Sequence, residues 1–168
     1  MDRKAPNYQE LCTRLRRSDL RQLIAIEGFS SSGKSTLADS LGRDLPAQVI
    51  HTDTYCTPRD NPPPYAKGVN ITKLRQSLNQ RDRTKHCIVE GICLRDVLEL
   101  CGESAGVFVY VKRVGGNGLW YDQFHLEDYE NGAAVPGEDE EPYASDLAYH
   151  SKVRPHERAD IEFLRVEE

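Results

Sequence analysis

The segment 22–45 constrains the fold of this chain of 168 residues more than any other part of it. A short apolar run at 23–26 leads into GFSSSGKS at positions 28–35, which has the form G-x-x-x-x-G-K-[ST]. Leu37 and Leu41 then recur at helical spacing. A flexible Gly/Ser linker would lack periodic apolar segments on both sides. The order of strand, glycine loop and helix therefore indicates a phosphate-binding P-loop.

The residue types in this loop suit the triphosphate of a nucleotide. Gly28 and Gly33 permit backbone conformations that turn successive N–H groups toward phosphate oxygens. The ammonium of Lys34 can reach the β and γ phosphates from the positive end of the following helix, and the hydroxyl of Ser35 can ligate Mg²⁺. We expect the nucleotide to be bound by Gly28, Ser30, Ser31, Ser32, Gly33, Lys34, Ser35 and Thr36.

Composition narrows the class of protein. The net charge of -5 argues against a general nucleic-acid binder, which needs a basic face for phosphate contacts. The five cysteines are odd in number and show no C-x-x-C spacing, so they indicate neither a disulfide framework nor a zinc site, and a reducing cytoplasm is the expected location. No run of about 18 apolar residues occurs, so we expect no membrane span.

Further apolar segments alternate with helical patterns along the chain. Short strands are predicted at 48–51, 87–89, 107–111 and 160–166, and helices at 7–21, 71–78, 94–100 and 143–153. This order predicts a three-layer α/β fold of the P-loop NTPase type, with helices on both faces of a mostly parallel sheet of about five strands. Residues 1–168 are expected to form one domain.

Two carboxylates follow predicted strands. Asp53 comes after the strand at 48–51, and Glu90 ends the strand at 87–89. Open α/β sheets bind ligands at the C-terminal ends of their strands, so both side chains should lie near the phosphates. Phosphoryl transfer needs one group oriented on the nucleophile and a carboxylate that organises Mg²⁺. A helix-cap or turn role for Asp53 and a plain surface role for Glu90 are the alternatives.

With these residues placed, the chain resembles the uridine kinase-like branch of P-loop small-molecule kinases, which includes phosphoribulokinases, pantothenate kinases and nicotinamide riboside kinases. The resemblance rests on four segments: IAIEGFSSSGKSTLA at 24–38, HTDTY at 51–55, CIVEGICL at 87–94 and YHSKVRPHERADIEF at 149–163. The second and third correspond to the family's D-x-[FY] and E-G-[IV] segments. The P-loop alone identifies only an NTP-binding fold that many functions share.

The resemblance implies an ATP-dependent phosphotransferase that acts on a hydroxyl of a small metabolite, most simply a nucleoside such as uridine. In such an enzyme Asp53 would accept the proton of the acceptor hydroxyl, and Glu90 with Ser35 would hold Mg²⁺. The acceptor region would include Asp53, Tyr55, Arg59 and Tyr65. A core or rim position is the alternative for Tyr55, and a solvated side chain is the alternative for Arg59 and Tyr65.

The segment 114–142 departs from the family pattern. Related kinases bring arginines from a lid over the transferring phosphoryl group, whereas the range 114–151 has nine acidic residues and no Lys or Arg. We expect a lid insertion here, mobile in its first part. Arg113 at its edge would supply the missing charge and act in catalysis with Asp53 and Lys34. Arg154 and Arg158 are the further candidates.

Two functions other than that of a kinase share these motifs. One is a P-loop NTPase that acts as a switch, and the other is a kinase fold retained as a nucleotide-binding regulatory module. The cation-poor lid favours the second of these, while the lack of an N-K-x-D-like segment counts against a common GTPase. The five histidines show no metal-ligand spacing, so no chemistry is predicted for them.

Overall fold

Six strands form one parallel sheet in the computed structural model, which describes residues 3–167. The strands are β1 Lys4–Ala5, β2 Leu23–Glu27, β3 Gln48–His51, β4 Cys87–Glu90, β5 Ala105–Val114 and β6 Ile161–Val166. They lie in the order β1-β6-β5-β2-β4-β3, and each neighbouring pair is parallel. The α/β prediction is confirmed with one strand more than expected, because the two residues of β1 are too few to show a period.

At least one helix separates every two consecutive strands, as the sequence predicts. The helices are α1 Tyr8–Arg16, α2 Lys34–Asp44, α3 Tyr65–Gly68, α4 Ile71–Asn79, α5 Leu94–Cys101, α6 Gln123–Glu130, α7 Tyr143–Val153 and α8 Pro155–Arg158. The short helices α3 and α8 and the helix α6 were not predicted. The first helix ends earlier than the predicted position 21, since the chain turns after Arg17 and the amide of Gln22 donates to the carbonyl of Asp19 at 3.0 Å. Within residues 3–167, no helix has the length and apolar character needed to cross a membrane.

Apolar layers cover both faces of the sheet. Strand β2 shows the alternation directly: Ile24 and Ile26 face a cluster formed with α1 and α2, whereas Leu23 and Ala25 face a cluster formed with α4 and α5. An interior strand packed on both sides has little freedom to move. The C-terminal end of β2, where the phosphate loop begins, is therefore held in a fixed position.

The insertion after β5 packs on the phosphate loop. Phe29 of the loop is fully buried in a cluster with Leu126 of α6, Val135, and Leu147 of α7. Its ring also stacks on His150, with ring centroids 3.7 Å apart. The insertion, which is expected to be mobile in its first part, thus contacts the phosphate loop through Leu126 and Val135.

Candidate active site

The loop between β2 and α2 has the backbone of an anion-binding turn. Gly33 has a φ of 92° and stands immediately before α2, and Ser31 also has a positive φ of 65°. At Gly28 a Cβ atom would lie 2.6 Å from the carbonyl oxygen of Val111, so a larger residue would push against β5. Left-handed residues in a tight turn direct neighbouring N–H groups inward, and the start of α2 adds its dipole. The geometry thus explains the glycine at each end of the motif.

Lys34 is the cation of this turn and is only 8% exposed. Its ammonium donates to the carbonyl oxygen of Phe29 at 3.1 Å. Burial lowers the pKa of Lys34, and nearby carboxylates act in the opposite direction. These carboxylates are Asp146, Glu90, Asp53 and Asp122. The phosphate loop therefore presents one buried ammonium within an acidic surrounding.

Two separate elements bring Ser35 and Glu90 together. Ser35, in the first turn of α2, donates its hydroxyl to Oε1 of Glu90 at the end of β4, at 3.0 Å. Nδ1 of His51 lies 2.7 Å from the same oxygen, and its Nε2 lies 3.0 Å from Oδ1 of Asp39. Burial acts to lower the pKa of His51, but the two carboxylates outweigh it and raise the pKa. A histidine without a predicted role thus joins the predicted metal-binding pair.

Asp53 lies where two cavities meet. The first cavity, of about 230 Å³, is formed by the phosphate loop together with Ser35 and Glu90. The second, of about 310 Å³, is formed largely by the proline-rich segment 56–63. Asp53 and Tyr65 line both cavities. Asp53 therefore lies between the cavity at the phosphate loop and the adjoining cavity.

The residues predicted for the acceptor region divide into two groups. Arg59 and Tyr65 line the second cavity, where the hydroxyl of Tyr65 lies 2.7 Å from that of Thr52. Tyr55 instead packs against the apolar cluster of α4 and α5 and donates its hydroxyl to Ser77 at 2.8 Å. Tyr55 belongs to a 3-10 turn, in which successive side chains rotate by about 120°, so positions two apart face different sides. This placement corresponds to the core alternative for Tyr55.

A third cavity, of about 170 Å³, lies on the other side of the start of α2. It is lined by Tyr8, Gly33, Thr36, Leu37, Ser40, Val111, Phe163 and Arg165. A Cβ atom on Gly33 would lie 2.5 Å from a guanidinium nitrogen of Arg165, so this arginine covers the end of the phosphate loop. Thr36, predicted to bind nucleotide, lines this cavity. Aromatic, aliphatic and guanidinium surfaces together suit a flat heterocycle.

The three arginines predicted to face the phosphoryl group have different surroundings. The guanidinium of Arg113 lies 4.6 Å from the ring centroid of Tyr121, and its Nε has no hydrogen-bond partner within residues 3–167. Burial raises the pKa of Asp122, while the charge of Arg113 acts to lower it. Arg154 forms two ion pairs with glutamates at 2.7 Å, and Arg158 lines a cavity elsewhere. Of the three, Arg113 interacts electrostatically with Asp122, and the charge of Asp122 in turn acts on Lys34.

Asp146 contacts the phosphate loop, although no pattern in the sequence predicts this contact. It lies in α7, is 0% exposed, and its Oδ2 accepts hydrogen bonds from the amide of Ser30 at 2.6 Å and from the hydroxyl of Ser30 at 3.0 Å. Ser30 was predicted to bind phosphate, yet both of its donors here face a carboxylate. The contact ties the helix that follows the insertion to the loop.

The oxygen donors of Ser35 and Glu90 fit Mg²⁺ bound together with a nucleotide. Within the described part of the chain, no three His, Cys, Asp or Glu side chains form a cluster that would bind a metal ion by themselves. Mg²⁺ usually binds through one or two protein oxygens together with phosphates and water. A hydroxyl and a carboxylate at the wall of the first cavity match that pattern. The residues fit the ion provided that the nucleotide supplies further ligands.

Comparison with solved structures identifies the class of fold. The chain is similar to a structure described as a possible uridine kinase from Bacillus stearothermophilus, with a TM-score of 0.58 and 17% identity over 93% of this chain and 96% of that chain. A gluconokinase from Sinorhizobium meliloti 1021 gives a TM-score of 0.40 and 15% identity over 85% and 96%. Neither family models nor curated proteins give a match. The first likeness shows a P-loop kinase-like fold. Since one fold can support many functions, the fold alone does not define the activity of this protein.

Proposed function

We propose that the protein is an ATP-dependent kinase that transfers the γ-phosphoryl group to a hydroxyl of a small metabolite. The observation that carries this proposal is the position of Asp53, whose side chain lines both the cavity of the phosphate loop and the adjoining cavity. A phosphotransferase needs two ligand sites that meet at one proton acceptor. A protein that only binds or hydrolyses nucleotide does not need a site for an acceptor molecule.

In such a transfer, different residues of the site stabilise charge, accept the proton and bind Mg²⁺. Lys34 and the N-terminus of α2 stabilise negative charge on the phosphates as the transfer proceeds. Asp53 accepts the proton of the acceptor hydroxyl. Ser35 and Glu90 would hold Mg²⁺, which neutralises charge on the β and γ phosphates when bound. The third cavity, beneath Arg165, would take the nucleoside part of ATP.

We propose a nucleoside, such as uridine, as the first acceptor class to test. The second cavity offers proline rings and the ring of Tyr65 to a flat apolar face, and the carboxylates of Asp53 and Glu141 to sugar hydroxyls. Oε2 of Glu141 is buried and finds no hydrogen-bond partner within residues 3–167. A ligand rich in hydroxyl groups would offer donors to the carboxylates of Asp53 and Glu141, both of which line the cavity.

A nucleotide-binding switch or regulatory protein is the second candidate. Four carboxylates act on Lys34, and Arg154 is occupied by glutamates, so the site is poor in free positive charge. The two candidates are separated by ADP release from ATP and Mg²⁺, measured with and without a panel of nucleosides and sugars. A kinase should depend strongly on one acceptor, whereas a switch should hydrolyse ATP at the same rate without any.

Replacement of Arg165 tests the position of the nucleoside. We expect Arg165→Ala to weaken ATP binding by about fivefold, because a guanidinium stacked on a base contributes on the order of 1 kcal/mol. Isothermal titration of ATP into the protein measures the change. Arg83→Ala removes an exposed arginine from the turn before β4 and is the matched control. Equal affinities for the parent protein and Arg165→Ala would place the base elsewhere.

Replacement of Arg113 tests the edge of the insertion. We expect Arg113→Ala to lower kcat by about 10- to 100-fold. This loss is smaller than that expected for an arginine finger without an acidic neighbour, because Asp122 partly neutralises the charge of Arg113. Arg154→Ala removes an arginine that is already paired with Glu130 and Glu157, and should leave kcat near the parent value. Steady-state rates at saturating ATP give the comparison. Unchanged kcat in Arg113→Ala would remove this residue from catalysis.

A further inference from the structure

His51 ends β3 directly beside the carboxylate that ends β4. The parallel pairing of these strands places His51 in register with Glu90. Nδ1 of the imidazole lies 2.7 Å from Oε1 of Glu90, whose side chain is 3% exposed. The imidazole is thus a neighbour of Glu90 that the backbone register itself fixes in place.

The other side of the imidazole is held as well. Nε2 of His51 lies 3.0 Å from Oδ1 of Asp39. Asp39 stands one helical turn after Ser35 in α2, and Ser35 donates to the same Oε1 of Glu90 at 3.0 Å. Helix α2 therefore contacts Glu90 twice, once directly through Ser35 and once through Asp39 and the imidazole.

These contacts restrict the rotation of the Glu90 carboxylate. An unsupported glutamate has three rotatable bonds, and its ordering upon metal binding costs free energy. A carboxylate that already accepts two hydrogen bonds on one oxygen loses less freedom when it ligates an ion. In metalloproteins, removal of a side chain that hydrogen-bonds to a metal ligand typically lowers the affinity for the metal by about 10- to 100-fold.

We propose that His51 is a positioning residue for Glu90, held by Asp39, and that it raises the affinity of the site for a divalent cation bound with nucleotide. The proposal rests on the proposed function, since it assumes that Glu90 meets a cation in the first cavity. A purely structural histidine would affect folding stability and leave cation affinity unchanged. The two roles therefore differ in a quantity that can be measured without turnover.

The experiment measures binding of Mn²⁺ by electron paramagnetic resonance to the full chain saturated with a non-hydrolysable ATP analogue. We expect His51→Ala to raise the dissociation constant of Mn²⁺ by at least about tenfold. His51→Asn places an amide N–H near the position of Nδ1 and should recover most of the affinity. Asp39→Asn, at an exposed position, should weaken Mn²⁺ binding to a smaller extent. His86→Ala, at the opposite end of β4, is the matched control.

The outcomes separate this proposal from the proposed function. If the parent protein binds no Mn²⁺ with the analogue, the proposed function and the role of His51 both fail. If the parent binds Mn²⁺ and folded His51→Ala binds it equally well, only the positioning role is wrong. Should His51→Ala not fold, Asp39→Asn decides: weaker Mn²⁺ binding than in the parent would support the proposal, and equal binding would overturn it.

Discussion

Lys34→Ala should abolish measurable phosphoryl transfer, with a loss of at least about 10³-fold in kcat. The substitution leaves the amides of the phosphate loop in place and removes the one ammonium that the loop encloses. Since Asp146, Glu90, Asp53 and Asp122 remain, the pocket becomes more repulsive toward a polyphosphate. Coupled detection of ADP at saturating ATP and acceptor gives the rate.

The control for this result is Lys73→Ala, which removes an exposed lysine from α4. It should have the parent rate, because α4 packs against the sheet away from the phosphate loop. Thermal unfolding of each variant shows whether the fold is retained. A folded Lys34→Ala protein that turns over near the parent rate would remove the phosphate loop from the mechanism.

Asp53→Asn should lower kcat by roughly 10²- to 10⁴-fold while the affinity for ATP changes by only a few fold. The amide has the shape of the carboxylate but cannot accept the proton of the acceptor hydroxyl. The side chain lines both cavities, so the substitution affects the step that joins the two ligands. Single-turnover transfer and nucleotide titration measure the two quantities separately.

Asp60→Asn is the matched control, because Asp60 is an exposed carboxylate of the same proline-rich segment. It should transfer phosphate at the parent rate. If Asp53→Asn instead lost ATP binding together with folding stability, a structural turn role for Asp53 would be the better interpretation. Equal kcat values for Asp53→Asn and the parent would exclude it as the proton acceptor.

The fold was largely predictable because its signals are local. A five-residue strand, a glycine loop and an amphipathic helix follow one another directly, and each later strand contains at least two successive apolar residues. The packing of the insertion was harder to predict, because its apolar residues contact a partner that is distant in sequence. Phe29 buries against Leu126 and Leu147, and no periodic pattern in 114–142 indicates this contact.

The candidate site was predictable where a strand end or the glycine-loop motif defines it. Ser35, Glu90 and Asp53 all follow recognisable segments, and the structure gathers them around one cavity. The contact of His51 with Glu90 spans 39 residues, and that of Asp146 with Ser30 spans 116. Pairs at such distances depend on strand register and helix docking, which one sequence does not reveal.

The most direct test of the proposed kinase activity follows the γ-phosphoryl group itself. The protein is incubated with Mg²⁺, ATP labelled with ¹⁸O in the γ-phosphoryl group, and a pool of nucleosides and sugars, and the products are analysed by mass spectrometry. We expect one acceptor to gain a single labelled phosphoryl group, and Asp53→Asn to slow its appearance. Label found only in inorganic phosphate, at a rate that no acceptor changes, would contradict it.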